Sequence, residues 1–239
     1  MQKFAIGTVA ALAFAASALG LTAHAMAGDE HGNFMIRGLV TGVLPDTDAS
    51  VYAGGSRIAG ANAEVGDEVI PATTLTYFFN DNLALELFCC FAKHELEGTG
   101  TISGLGEIAD TWIFPPALTA QYHFNSGGTF KPYVGAGLQY IAFFNEGTGQ
   151  NRLGATSVDI DDAVGFTLQA GLDVSIGNGW YLNADVKKTW LDTEVHWNGT
   201  GVRANADIDP LIVSAGFGYR FNLSDIFGHS PQTASIPIK

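Results

Sequence analysis

The chain has 239 residues; Lys and Arg contribute 11, Asp and Glu 24, and the formal net charge is −13. Only 15% of residues are charged, Gly is abundant at 30 and Cys scarce at 2. This balance excludes a disulfide-stapled scaffold, a basic nucleic-acid binder and a disordered acidic tail. It leaves an acidic chain of positive mean hydropathy.

Residues 1–25 read as a secretory signal peptide. Lys3 opens it, an Ala-rich apolar run fills 4–21, and Ala23 and Ala25 place small residues at −3 and −1 of a cleavage point. Ala25-Met26-Ala27 offers a second cleavage point after residue 27, and a transmembrane anchor is the rival reading. Removing Lys3 leaves 10 basic against 24 acidic residues, a net charge of −14.

Beyond residue 27 no uninterrupted apolar stretch reaches 18 residues, so helical spans are not expected. The chain alternates instead with a period of two. Eight segments do so, near 33–44, 68–79, 83–96, 112–124, 130–144, 162–176, 180–191 and 208–221. In the last, Leu211, Val213, Ala215, Phe217, Tyr219 and Phe221 share one face, while Ser214, Gly216, Gly218 and Arg220 share the other. Most segments exceed the roughly 5–6 residues of a soluble strand and the roughly 9–11 that cross a bilayer at a tilt.

The connections also alternate. Short turns at 80–82, 125–129 and 177–179 separate longer polar stretches at 45–67, 97–111, 145–161 and 192–207. Together these features predict an all-β fold, an eight-stranded antiparallel transmembrane β-barrel over 26–221 with short periplasmic turns and longer external loops. Residues 222–239, with Gly228, Pro231 and Pro237, are expected to form a periplasmic extension. Tyr122, Phe124, Trp180 and Tyr219 near strand ends suit an interfacial aromatic girdle.

The resulting parity divides the candidate residues. Arg37, Glu86, Asp173, Asp185, Lys187 and Arg220 point inward, where they form either a bracing ion-pair network or a polar constriction. Met35, Leu39, Val43, Phe88, Ile141 and Phe143 also point inward and read either as interior packing or as the lining of an apolar conduit. Lys188 points outward against the pattern. Cys89 and Cys90 fall on opposite faces and carry no expected disulfide or metal. Asp159, Asp161 and Asp162 cluster in an external loop, where a solvated acidic surface is weighed against a Ca²⁺ or lipopolysaccharide contact. His94 and His196 near the outer ends, and His123 at the inner end, form no compact nucleophile–base pattern, so no catalytic residue, metal or cofactor is expected.

The sequence Phe114-Pro115-Pro116-Ala117-Leu118-Thr119-Ala120-Gln121-Tyr122-His123-Phe124 resembles the outer-membrane protein W (OmpW) family of small barrels. So do the stretches at 34–37, 80–87, 131–140 and 215–221, and the likeness runs from about 34 to 221. The resemblance implies a bacterial outer-membrane location, a largely hydrophobic interior, and passage of small apolar molecules, with sideways release through a gap in the wall. Phe217, Tyr219 and Phe221 of the last strand would serve as the signal read by the barrel assembly machinery. The expected partners are outer-membrane lipids and lipopolysaccharide, that machinery and small hydrophobic solutes, and no nucleic acid. A structural or receptor barrel without transport is the alternative, and a lipid-modifying enzyme is less favoured.

Overall fold

The computed structural model describes residues 32–125 and 127–223. The expected signal peptide and the extension beyond residue 223 lie outside the described residues. In chain order the strands are β1 (Phe34–Leu44), β2 (Thr47–Ala53), β3 (Ser56–Arg57), β4 (Ala61–Val65), β5 (Glu68–Phe78), β6 (Leu83–Cys90), β7 (Ala92–Gly100) and β8 (Glu107–Phe114). They continue with β9 (Ala117–His123), β10 (Phe130–Gly147), β11 (Ser157–Ile160), β12 (Ala163–Gly177), β13 (Trp180–Trp190), β14 (Asp192–Asn198), β15 (Val202–Ile208) and β16 (Leu211–Phe221).

Eight of these close on themselves in the order β1-β5-β6-β9-β10-β12-β13-β16, with β16 pairing back to β1. Every neighbouring pair is antiparallel. Closure is what lets the backbone satisfy its own hydrogen bonds in hydrocarbon. The register of β1 against β16 sets Phe34 opposite Phe221, so the first and last staves meet at the rim that carries the short turns.

The side chains follow the predicted parity. Ile36, Val40, Leu75, Leu118, Val134, Leu138, Leu182 and Val213 are exposed on the outer wall. Aromatic pairs bound this apolar belt. At the turn rim Trp180 lies 4.9 Å from Tyr219, Tyr122 5.1 Å from Phe124 and Phe34 5.0 Å from Tyr77. At the other edge Phe91 stacks on Phe114 at 4.9 Å and Phe166 on Trp190 at 6.3 Å. Trp180 and Trp190 bracket β13. Ten residues at about 3.3 Å each, tilted by roughly 40°, rise about 25 Å, which matches the apolar band of an outer-membrane barrel.

Two expectations change. The segments 83–96 and 112–124 each break, into β6 and β7 and into β8 and β9. Pro115 and Pro116 cause the second break, because neither has an N–H to donate to a ladder. The long polar stretches are also not plain loops. β7 and β8 run on past the belt as a pair, with β4 added on the far edge of β7, while β11-β14-β15-β2-β3 form a separate five-stranded sheet. Their inward positions alternate with polar ones but are small or few, as in Ala61-Asn62-Ala63 and Ala204-Asn205-Ala206, so overall polarity masks the period.

An eight-stranded interior has little room, and glycines supply it. A Cβ on Gly171 would collide with Cζ of Tyr133, and one on Gly137 would collide with the Leu118 carbonyl oxygen. Gly171→Val should therefore expel the Tyr133 ring and destabilise the barrel by about 1–3 kcal/mol, as overpacking generally does. A lowered urea midpoint for refolded protein in lipid bilayers measures this.

Candidate functional site

Near the turn rim the interior is filled by a layer of paired charges. Arg37 on β1 is its centre. Its Nε and Nη2 donate to the two Asp173 oxygens at 3.2 and 2.6 Å, and Nη1 donates to Glu86 Oε2 at 2.8 Å and Thr76 Oγ1 at 2.7 Å. Lys187 Nζ donates to Asp185 Oδ1 at 2.5 Å and lies 3.2 Å from Glu86 Oε1. Gln169 Nε2 joins Glu86 and Asp185 at 2.9 and 2.7 Å, and the Tyr133 hydroxyl donates to Asp185 at 2.7 Å. Arg37, Glu86, Asp173 and Lys187 are each only 1% exposed. Period-two alternation on six different staves brings these groups to one height.

Arg220 does not join this layer. Its Nε donates to the Gly32 carbonyl at 2.6 Å, Nη2 lies 3.7 Å from Asp81, and its guanidinium carbon sits 3.9 Å over the Phe78 ring. Its position one residue from the end of β16 keeps it at the rim. Met35 packs there too, with Phe78, Ala84 and Tyr181, on the far side of the charged layer from the other apolar candidates. His123 is buried nearby, with Nε2 3.1 Å from Gln121 Oε1 and its ring stacked on Tyr133.

Above the charged layer the interior turns apolar. Leu39, Phe88 and Ile141 form one buried cluster with Ile70, Cys90, Ile113 and others, and half-buried Phe143 bridges it to a second cluster under the five-stranded sheet. Between the clusters lies a cavity of about 70 Å³. Phe88 and Ile141 line its lower part, and Val195, Trp197 and Ala204 belong to the sheet above. Trp197 is fixed by a 2.8 Å hydrogen bond from Nε1 to the Ile108 carbonyl. The part of the cavity supplied by β2, β4, β14 and β15 was missed from sequence, where the only signal was the small-residue alternation.

One wall of the cavity has a seam. β6 pairs with β9 up to Phe88 opposite Ala117, and β7 pairs with β8 from Ala92 opposite Ile113. Between them, Cys89–Phe91 and Phe114–Pro116 face each other without ladder pairing. Cys90, Ala92, Ile113 and Pro115 line the cavity at this level, and the Phe91–Phe114 stack covers the seam on the lipid side. Cys89 is half-buried and Cys90 buried.

His94 points into the cavity two residues beyond Ala92, outside the apolar belt, with Nδ1 3.7 Å from Glu68 Oε1. Burial pushes its pKa down to about 4, while burial and the charge of Glu95 raise that of Glu68. His196 instead lies on the outer face of β14, where its ligand atom and those of Asp161 and Glu194 fall within 4.8 Å of one another. Asp162 accepts hydrogen bonds from the Phe143 amide at 3.0 Å and from the Tyr140 hydroxyl. Lys188 reaches the Asp209 carbonyl at 2.5 Å, so its charge leaves the lipid face.

The OmpW family matches residues 30–221 of this chain. The chain belongs to the OmpW family. It is 34% identical over 223 residues to outer-membrane protein y4mB of Sinorhizobium fredii, covering 91% of this chain and 92% of that one. It is 26% identical over 185 residues to the dibenzothiophene metabolism operon protein PahQ of Pseudomonas aeruginosa, covering 76% and 85%. The solved structure of OprG from Pseudomonas aeruginosa superposes with a TM-score of 0.74 at 29% identity, over 82% of this chain and 98% of OprG. The OmpW-family protein is thus an outer-membrane barrel that sits among the lipids of that membrane. Its turn rim is periplasmic, and the five-stranded sheet stands outside the cell.

Two outcomes follow from the site. Arg37→Met leaves Asp173 buried without its main partner and Glu86 with Lys187 alone, and should destabilise the barrel by about 3–5 kcal/mol in urea unfolding. In the folded barrel the His94 imidazole should titrate with a midpoint near 4, read by NMR on specifically labelled protein. Because the fold favours its neutral form, its contribution to stability is complete above pH 6.5 and is lost as the pH falls toward 4.

Proposed function

We propose that this barrel admits small apolar molecules from outside the cell and releases them sideways into the outer membrane through the seam at 89–91 and 114–116. One observation carries the reading: the cavity is apolar, a buried layer of paired charges lies beneath its Phe88 wall, and it abuts the interrupted ladder. A molecule continuing straight to the periplasm would have to part Arg37 from Asp173 and Glu86, and uncompensated buried charge is expensive. A molecule leaving through the seam passes Cys90 and Pro115, then the Phe91–Phe114 stack, and reaches lipid without meeting a charged side chain. The name of PahQ links that protein to the metabolism of dibenzothiophene, an apolar tricyclic, which suits the same class of solute.

On this reading Val43, Phe88, Ile141 and Phe143 are lining, Leu39 is packing in the apolar cluster and does not reach the cavity, Met35 is packing at the periplasmic rim, and the charged layer is a floor. The protein has no catalytic role. Phe217, Tyr219 and Phe221, exposed or half-buried along the last stave, serve barrel assembly. The external sheet and its acidic edge at Asp159 and Asp161 face the lipopolysaccharide layer.

Proteoliposomes containing the barrel should take up an apolar fluorophore faster than protein-free vesicles. Ala92→Trp, which fills the cavity beside the seam, should slow that uptake at least fivefold, whereas Lys93→Gln on the outside should not. Equal uptake with and without protein would refute transport and leave a receptor or structural barrel.

A further inference from the structure

Two polar atoms stand out against the apolar cavity. Among the described residues, three buried side-chain nitrogen or oxygen atoms have no hydrogen-bond partner, and two of them, His94 Nδ1 and Thr47 Oγ1, belong to residues lining this one cavity. His94 is 6% exposed. A buried polar group without a partner is costly, and interiors normally pair such groups. Glu68 does not remedy this, because 3.7 Å is too long for a hydrogen bond. Thr111 and Thr193, the other hydroxyl residues lining the cavity, are already committed to backbone carbonyls at 3.1 and 2.6 Å.

The position of His94 is set by parity. Phe88, Cys90, Ala92, His94 and Leu96 face inward in succession along β6 and β7, forming a ladder from the floor of the cavity towards its roof. At about 3.3 Å per residue, His94 stands about 20 Å along this stave from Phe88. Thr47 opens β2 and enters the same cavity from the external sheet. The seam lies between Phe88 and His94, so a solute whose polar end is held at His94 lays its apolar part toward the seam.

We propose that the cavity selects apolar molecules carrying one neutral hydroxyl group, held by His94 and Thr47; this rests on the reading that the cavity takes up small apolar solutes. A hydroxyl both donates and accepts, so it satisfies His94 in either neutral tautomer and Thr47 as well. A carboxylate would meet Glu68, and an ammonium group would carry a charge into an apolar space. The site therefore discriminates by a few hydrogen bonds inside a lining that is otherwise indifferent to chemistry, as ligand pockets generally do.

The test uses full-length barrel in lipid bilayers, labelled on the His imidazole nitrogens and the Ile methyl groups, titrated with 1-octanol or n-octane. Both should shift the Ile113 methyl signal, and only 1-octanol should shift His94 Nδ1. In the double variant His94→Leu with Thr47→Val, the preference for 1-octanol over n-octane at Ile113 should fall about fivefold for each hydrogen bond removed. If 1-octanol shifts Ile113 but leaves Nδ1 unmoved, the hydroxyl-recognition proposal falls and apolar uptake stands. If neither compound shifts Ile113, the cavity reading falls and takes the proposal with it. If Glu68→Gln alone shifts Nδ1 in the absence of either compound, Glu68 is the partner of His94 and the proposal is overturned.

Discussion

Backbone hydrogen bonding in hydrocarbon governs this molecule. No water is available to the amides of the belt, so each stave must pair with two neighbours and the sheet must close. Closure with eight strands leaves an interior scarcely wider than its side chains. From that narrowness follow the glycines that admit Tyr133, the stacking of His123 on Tyr133, and the gathering of polar groups from six staves at one height.

The charged layer then divides the interior. Arg37, Lys187, Glu86, Asp173 and Asp185 are paired so completely that they act as a wall. Such a layer need not stabilise the fold relative to a well-packed apolar one, but it determines where a pathway can run. Below it lie Met35 and Arg220 at the periplasmic rim. Above it lies the apolar cavity, with the seam at 89–91 and 114–116 in its wall and, among the described residues that line it, two unpartnered polar atoms. On the proposed function, apolar volume, a blocked floor and a broken ladder side by side would give the barrel a direction that neither a uniform pore nor a solid plug would have.

The external sheet extends the same logic beyond the membrane. There water can satisfy the backbone, and the strands are held by small inward residues packing around Trp197. The sheet roofs the cavity and brings Thr47 into the lining that His94 enters from β7. An acidic outer face with Asp161, Glu194 and His196 remains toward solvent.

The eight staves, their facing and the aromatic edges were legible in the sequence, because a period of two and a regular spacing of turns are local properties that lipid makes strict. The inward parity of Arg37, Glu86, Asp173, Asp185 and Lys187 was legible for the same reason. Register was not. Whether two inward residues share a height depends on the stagger between staves, which is why Arg220 and Met35 fell at the rim and not with the groups they had been placed beside. The seam required the register of β6 on β9 and of β7 on β8 at once, and the cavity required strands hidden in stretches that read as polar loops. The sequence by itself determined a closed barrel and which side chains enter it. Only the tertiary structure decided which of those side chains meet, because closure couples residues more than a hundred positions apart, as it does Arg37 and Asp173.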